Sequence, residues 1–139
     1  MQREQLKILL LQIRDDHKVR AEELESFARY SQLDVNQIDV LNVFDTPSFD
    51  SSVLEGYDAL YVGGASEANV LEPKIYPFVN DCISLIKFAG DTGIPTFASC
   101  FGFQLAVLAF GGEILSKDEG YEMGSIPITL TNLASIDPV

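Results

Sequence analysis

The sequence predicts an α/β fold in three layers, a doubly wound and mostly parallel sheet with helices on both faces. Short apolar runs of strand length alternate with segments of helical spacing, as in consecutive strand–helix–strand units. The runs are continuous rather than alternating, the mark of strands buried on both sides. The breaks between them are rich in Gly, Pro, Asp and Ser.

Lys7 to Ile13 reads as the first strand. Glu22 to Leu33 follows as a helix, with Leu24, Phe27, Ala28 and Leu33 near helical spacing. Ile38 to Phe44 is a second strand, and the "DTPSFDSS" stretch after it is a loop. Tyr57 to Val62 is a third strand, closed by Gly63 and Gly64. Pro73 to Ala89 carries the clearest helical stripe, through Ile75, Phe78, Val79, Cys82, Ile83 and Ile86. Pro95 to Ser99 is a fourth strand, with its proline tolerated at the start. Phe103 to Phe110 is a short helix capped by Gly111-Gly112, and "EILS" and "MGSIPITLT" read as further strands. No linker, repeat or low-complexity tract divides residues 1–139, which read as one domain.

Composition narrows the function. A formal charge of −12 argues against nucleic acid or an anionic membrane as partner, since both demand a basic surface. No apolar window approaches the length of a membrane span, and the start lacks a signal-peptide cleavage pattern, so the cytoplasm is the expected compartment. Two cysteines do not make a secreted disulfide framework. With one histidine and two separated cysteines there is no ligand set at zinc spacing, so no metal is expected. No G-x-G-x-x-G follows the first strand, so no dinucleotide cofactor is expected. A phospho-receiver is excluded as well, because the third strand ends on glycines and not on aspartate.

In such sheets functional groups gather at the carboxyl ends of the strands, here Arg14-Asp15-Asp16, Gly63-Gly64 and Cys100. Cys82 lies in a helical apolar stripe and reads as a small core hydrophobe. Cys100 lies between a strand and a helix start, with Ala98 and Gly102 two residues to either side. Small–x–nucleophile–x–small is the pattern of a nucleophile elbow, where a sharp turn lifts the nucleophile into a cleft. The helix start favours a thiolate, and the Phe101 N–H is one candidate oxyanion donor. Gly63-Gly64, on the neighbouring strand end, is placed to supply a second donor and to let a substrate approach closely.

"YDALYVGGASEANV", "PFVNDCISLIKFAGDTGIPTFASCFGFQLAVLAFGGEI" and "YEMGSIPITLT" together resemble the class I glutamine amidotransferase domain, from the first strand to near the last residue. The family's elbow has the form G-x-C-x-G-x-Q, read here as Ala98-Ser99-Cys100-Phe101-Gly102-Phe103-Gln104. The resemblance implies a flavodoxin-like sheet and hydrolysis of the glutamine side-chain amide, or of a γ-glutamyl bond, through a cysteine thioester. It implies Cys100 as nucleophile, the N–H groups of Gly64 and Phe101 as the oxyanion hole, and Gly63 and Gln104 at the substrate. Glu122 and Gly124 match an E-x-G pattern for which only a structural role is expected. No cofactor is implied.

The sequence departs from the family pattern in two places. Phe103 stands where many members carry histidine, and an aromatic there fits helix packing. The family's base and orienting acid form an H-x-E motif after the elbow, whereas no histidine follows Cys100 here. The domain therefore reads as incomplete at its C-terminus. The expected consequences are weak glutamine binding with very slow turnover, and self-association or a partner segment, such as a synthetase, at the uncovered edge. His17, in the charged loop after the first strand, is expected to be solvated rather than a substitute base. The competing readings are a non-catalytic regulatory or scaffold domain of this fold, and a cysteine hydrolase or chaperone-like protein sharing the elbow.

Overall fold

The computed structural model describes residues 2–117, 119–120, 125 and 127–137. Four strands form the sheet: β1 (Ile8–Ile13), β2 (Ile38–Asn42), β3 (Ala59–Ala65) and β4 (Thr96–Ala98). All pairings are parallel, in the order β2-β1-β3-β4. The helices are α1 (His17–Ser31), α2 (Phe78–Thr92) and α3 (Phe101–Ala109).

β1 is central and wholly buried, and its alternate residues serve two cores. Leu9, Leu11 and Ile13 join Leu60, Val62 and the buried faces of α2 and α3. Ile8 and Leu10 join Ile38 and Ala28, with Leu24 and Phe27 of α1 packed against them. Helices thus cover both faces, as the pattern of apolar runs predicts. The chain leaves β1 toward β2 on one side and reaches β3 on the other, so the order reverses between β1 and β3. In an open α/β sheet that switch point opens the crevice where ligands bind.

Element ends differ from the sequence expectation for local physical reasons. α1 starts earlier, at His17, because the Asp16 carboxylate accepts hydrogen bonds from the Lys18 and Val19 N–H groups and caps the helix. α2 starts later than Pro73. Pro77 is its N-cap, and a proline inside the helix would forfeit a backbone hydrogen bond. Ile75, counted in the stripe, therefore lies before the helix and is 64% exposed. Gly93, at φ 74°, ends α2. Gly111, at φ 82°, closes α3 as expected, and the Gly112 N–H donates to the Val107 carbonyl. Residues 113–116 and 127–131 are not strands, because they find no ladder partner among the described residues. Met123, Gly124 and Ile126 of the last expected strand lie outside the described residues.

Candidate active site

Cys100 is the junction of β4 and α3. Its backbone takes φ 54° and ψ −111°, a conformation that costs an ordinary L-residue about 1–3 kcal/mol. The surroundings hold it there. The Ser99 N–H donates to the Val62 carbonyl at 3.0 Å, and the Gly102 N–H donates back to the Ser99 carbonyl at 2.9 Å. Gly102 lies flat against β3, where a Cβ would fall 2.7 Å from the Val62 carbonyl oxygen. Only glycine fits, which is the steric demand the elbow pattern encodes. Cys100 is exposed and borders a groove of about 700 Å³ between α1 and the ends of β3 and β4. Phe27, Tyr61 and Phe97 form an aromatic wall of this groove, with Phe27 stacked on Tyr61 at 5.3 Å.

Gly63 and Gly64 lie within β3, which runs on to Ala65 instead of closing at Val62 as expected, and neither takes positive φ. They are small because other groups need the space. A Cβ on Gly64 would lie 3.4 Å from the Cys100 Cβ and 2.8 Å from Nη2 of Arg14. A Cβ on Gly63 would lie 2.5 Å from Oε1 of Glu23. The Gly64 N–H, the expected oxyanion donor, already donates to Oε2 of Glu23 at 3.2 Å. The Phe101 N–H begins α3 and has no acceptor among the described residues.

Glu23 comes from the second turn of α1, and sequence reasoning missed it. Its Oε2 also accepts from Nε of Arg14 at 2.9 Å. Its Oε1 is buried and has no donor among the described residues. An unmet buried acceptor costs about 1–3 kcal/mol and calls for a reason. Arg14 is anchored in turn. Its Nη1 donates to the Ser66 hydroxyl at 3.1 Å, and its own carbonyl accepts from Asn42 Nδ2 at 2.8 Å and Arg20 Nε at 2.8 Å. Asn42 also donates to Gln12 at 3.0 Å, so two buried polar side chains of the core set the start of the β1–α1 loop. The one signal available in the sequence was a carboxylate at i−4 from Phe27, beside the sheet-facing stripe of α1.

The other expected residues are less tightly gathered. Gln104, one turn into α3, is half-buried and does not line the groove. Phe103 is 61% exposed, so helix packing does not account for it. His17 is exposed and borders other cavities, as expected of a solvated side chain. Cys82 is wholly buried in α2, and burial, with the Asp81 charge beside it, pushes its thiol far above the ordinary range. Glu122 and Gly124 lie outside the described residues. Among the described residues no cluster could hold a metal, and no helix is long and apolar enough to cross a membrane.

A family model described as "Glutamine amidotransferase class-I" matches residues 28–137. The chain belongs to this family. Over 71 residues this amidotransferase domain is 35% identical to the CTP synthase of Pyrococcus horikoshii and 32% identical to that of Pyrococcus furiosus. Each match spans 51% of the chain but only 12% of the synthase. In fold the domain resembles a glutamine amidotransferase of Thermotoga maritima, with a TM-score of 0.58 at 22% identity over 77% of this chain and 44% of that one. The family match begins after Arg14 and Glu23, so the pair that packs against Gly64 lies before the matched range.

Proposed function

We propose that the domain cleaves the side-chain amide of glutamine, or a γ-glutamyl bond, with Cys100 as nucleophile. The observation that carries the reading is the strained backbone of Cys100, an exposed residue that lines the groove together with Gly64. The sulfur attacks the amide carbon and a C–S bond forms. The carbonyl electron pair moves to oxygen, which the Phe101 and Gly64 N–H groups receive. The thiol's proton passes through water to the amide nitrogen, so collapse expels ammonia and leaves a γ-glutamyl thioester, which water hydrolyses to glutamate and the free thiol. In this reading the substrate meets Cys100 and Gly64, while Gly63 makes room for Glu23 and Gln104 lies outside the groove lining. The ammonia would serve a synthetase, by analogy with the CTP synthases.

Among the described residues no histidine borders the groove, so turnover by this chain is very slow. The test is release of ammonia and glutamate from glutamine, with Cys100→Ala as control. A slow rate that vanishes in the variant supports the reading, and a rate indifferent to Cys100 sinks it. A second reading, a scaffold of the same fold without catalysis, has one observation in its favour: the Gly64 donor is occupied by Glu23. A chloroketone analogue of glutamine separates the two, since a scaffold would leave Cys100 unlabelled.

A further inference from the structure

We infer that Glu23 is a positioning residue of the oxyanion site: at rest its carboxylate holds the Gly64 N–H, and the donor becomes competent when that carboxylate lets go. The inference rests on Cys100 being the nucleophile, as proposed above.

The carboxylate is an anion on a backbone N–H beside the nucleophile, where the substrate's oxyanion is expected to form. It is held there by more than that N–H, because Arg14 donates to the same oxygen and is itself tied to Ser66. Gly63 makes room for it, since any side chain at that position would meet Oε1 and Cδ of Glu23. The contact is also imperfect. Oε1 remains buried without a donor, so the resting arrangement carries an unmet acceptor that release into water would satisfy. Room for release exists, because Glu23 itself lines the groove that Cys100 borders.

One N–H does not serve two anions at once. When the thiolate adds to the amide carbon and the carbonyl pair moves to oxygen, that oxygen replaces Oε2 at Gly64. The carboxylate swings toward the groove. Arg14 keeps its bond to Ser66, and its Nη2 stays near Gly64. Gly64 lies in a short irregularity of the ladder to β1, held on either side by the Leu11–Val62 and Ile13–Ala65 pairs, so its N–H is not committed to the sheet.

The experiment compares the wild-type chain with Glu23→Gln and Glu23→Ala, using two electrophiles on Cys100. Iodoacetamide alkylates sulfur by direct displacement and needs no oxyanion donor. The chloroketone analogue of glutamine needs its carbonyl polarised by the donors. Freeing the Gly64 donor raises the chloroketone rate relative to the iodoacetamide rate, by about tenfold in Glu23→Gln and up to about a hundredfold in Glu23→Ala. Hydrogen exchange at the Gly64 amide, which needs no ligand, speeds up in the same order. Glu23→Gln keeps the shape of the side chain, which guards against misfolding of the alanine variant. An unchanged or lowered rate ratio, or unchanged exchange at Gly64, overturns the inference. Failure of iodoacetamide to reach Cys100 in all three proteins overturns the nucleophile instead, and Gly64 exchange alone then judges the Glu23 contact.

Discussion

Cys82 and Cys100 belong to consecutive helical elements of one chain, and the fold gives their sulfurs opposite fates. Cys82 lies mid-helix on α2, with its side chain in the larger core and no exposed surface. Cys100 stands outside the regular helix, at a backbone angle that ordinary residues avoid, with its side chain at the rim of a groove. Both helices pack on the same face of the sheet. The difference lies in where each cysteine falls along its helix. A mid-helix position points a side chain along the stripe into the core, whereas the residue before the first turn is free to take a left-handed φ and project over the strand ends. Residue type is no guide to exposure here, and position relative to the helix start is.

Exchanging each thiol for alanine breaks the comparison most sharply. Cys100→Ala abolishes labelling by the chloroketone, a loss of at least about a thousandfold, while Cys82→Ala leaves the rate within about twofold. Kinetic labelling followed by peptide mass spectrometry reads both. In the unaltered protein at neutral pH, iodoacetamide modifies Cys100 at least about a hundredfold faster than Cys82, and adding denaturant brings the two rates together. Equal native rates would show that burial of Cys82 is not what protects it.

Gly102→Ala sharpens the comparison from the backbone side. The added methyl meets the Val62 carbonyl oxygen, so stability to urea falls by about 1–3 kcal/mol and chloroketone labelling slows. The smallest effect concerns pH. The folded protein raises the Cys82 thiol above its ordinary value of 9.0, mainly by burial. The unfolded chain therefore releases this proton first, and stability declines as pH rises beyond about 9. Below that pH both states hold the proton and no dependence arises. Urea midpoints measured across this range fall less steeply in Cys82→Ala than in the wild type.

Much of this was legible in the sequence because it is local. Continuous apolar runs gave the parallel strands, and Ala98, Cys100 and Gly102 marked a turn whose small residues have a steric cause. Cys82 was readable from its place in a stripe. Boundaries slipped where one hydrogen bond or one proline decides them, as at Asp16 and Pro77. Residues 113–116 have side chains that suit a strand, but a strand also needs a neighbouring edge, which side-chain pattern does not report. The hold of Glu23 on Gly64 was not readable at all. It joins a helix to a distant strand, through glycines whose composition alone pointed equally well to an open substrate site.

The Val62 carbonyl has one further consequence. A single oxygen of the buried sheet accepts from Ser99 and abuts Gly102, so the Cys100 corner is surveyed from a benchmark in a buried strand. If the proposed chemistry holds, insertions or exchanges in the surrounding loops retune which molecule enters the groove while the direction of attack is inherited unchanged.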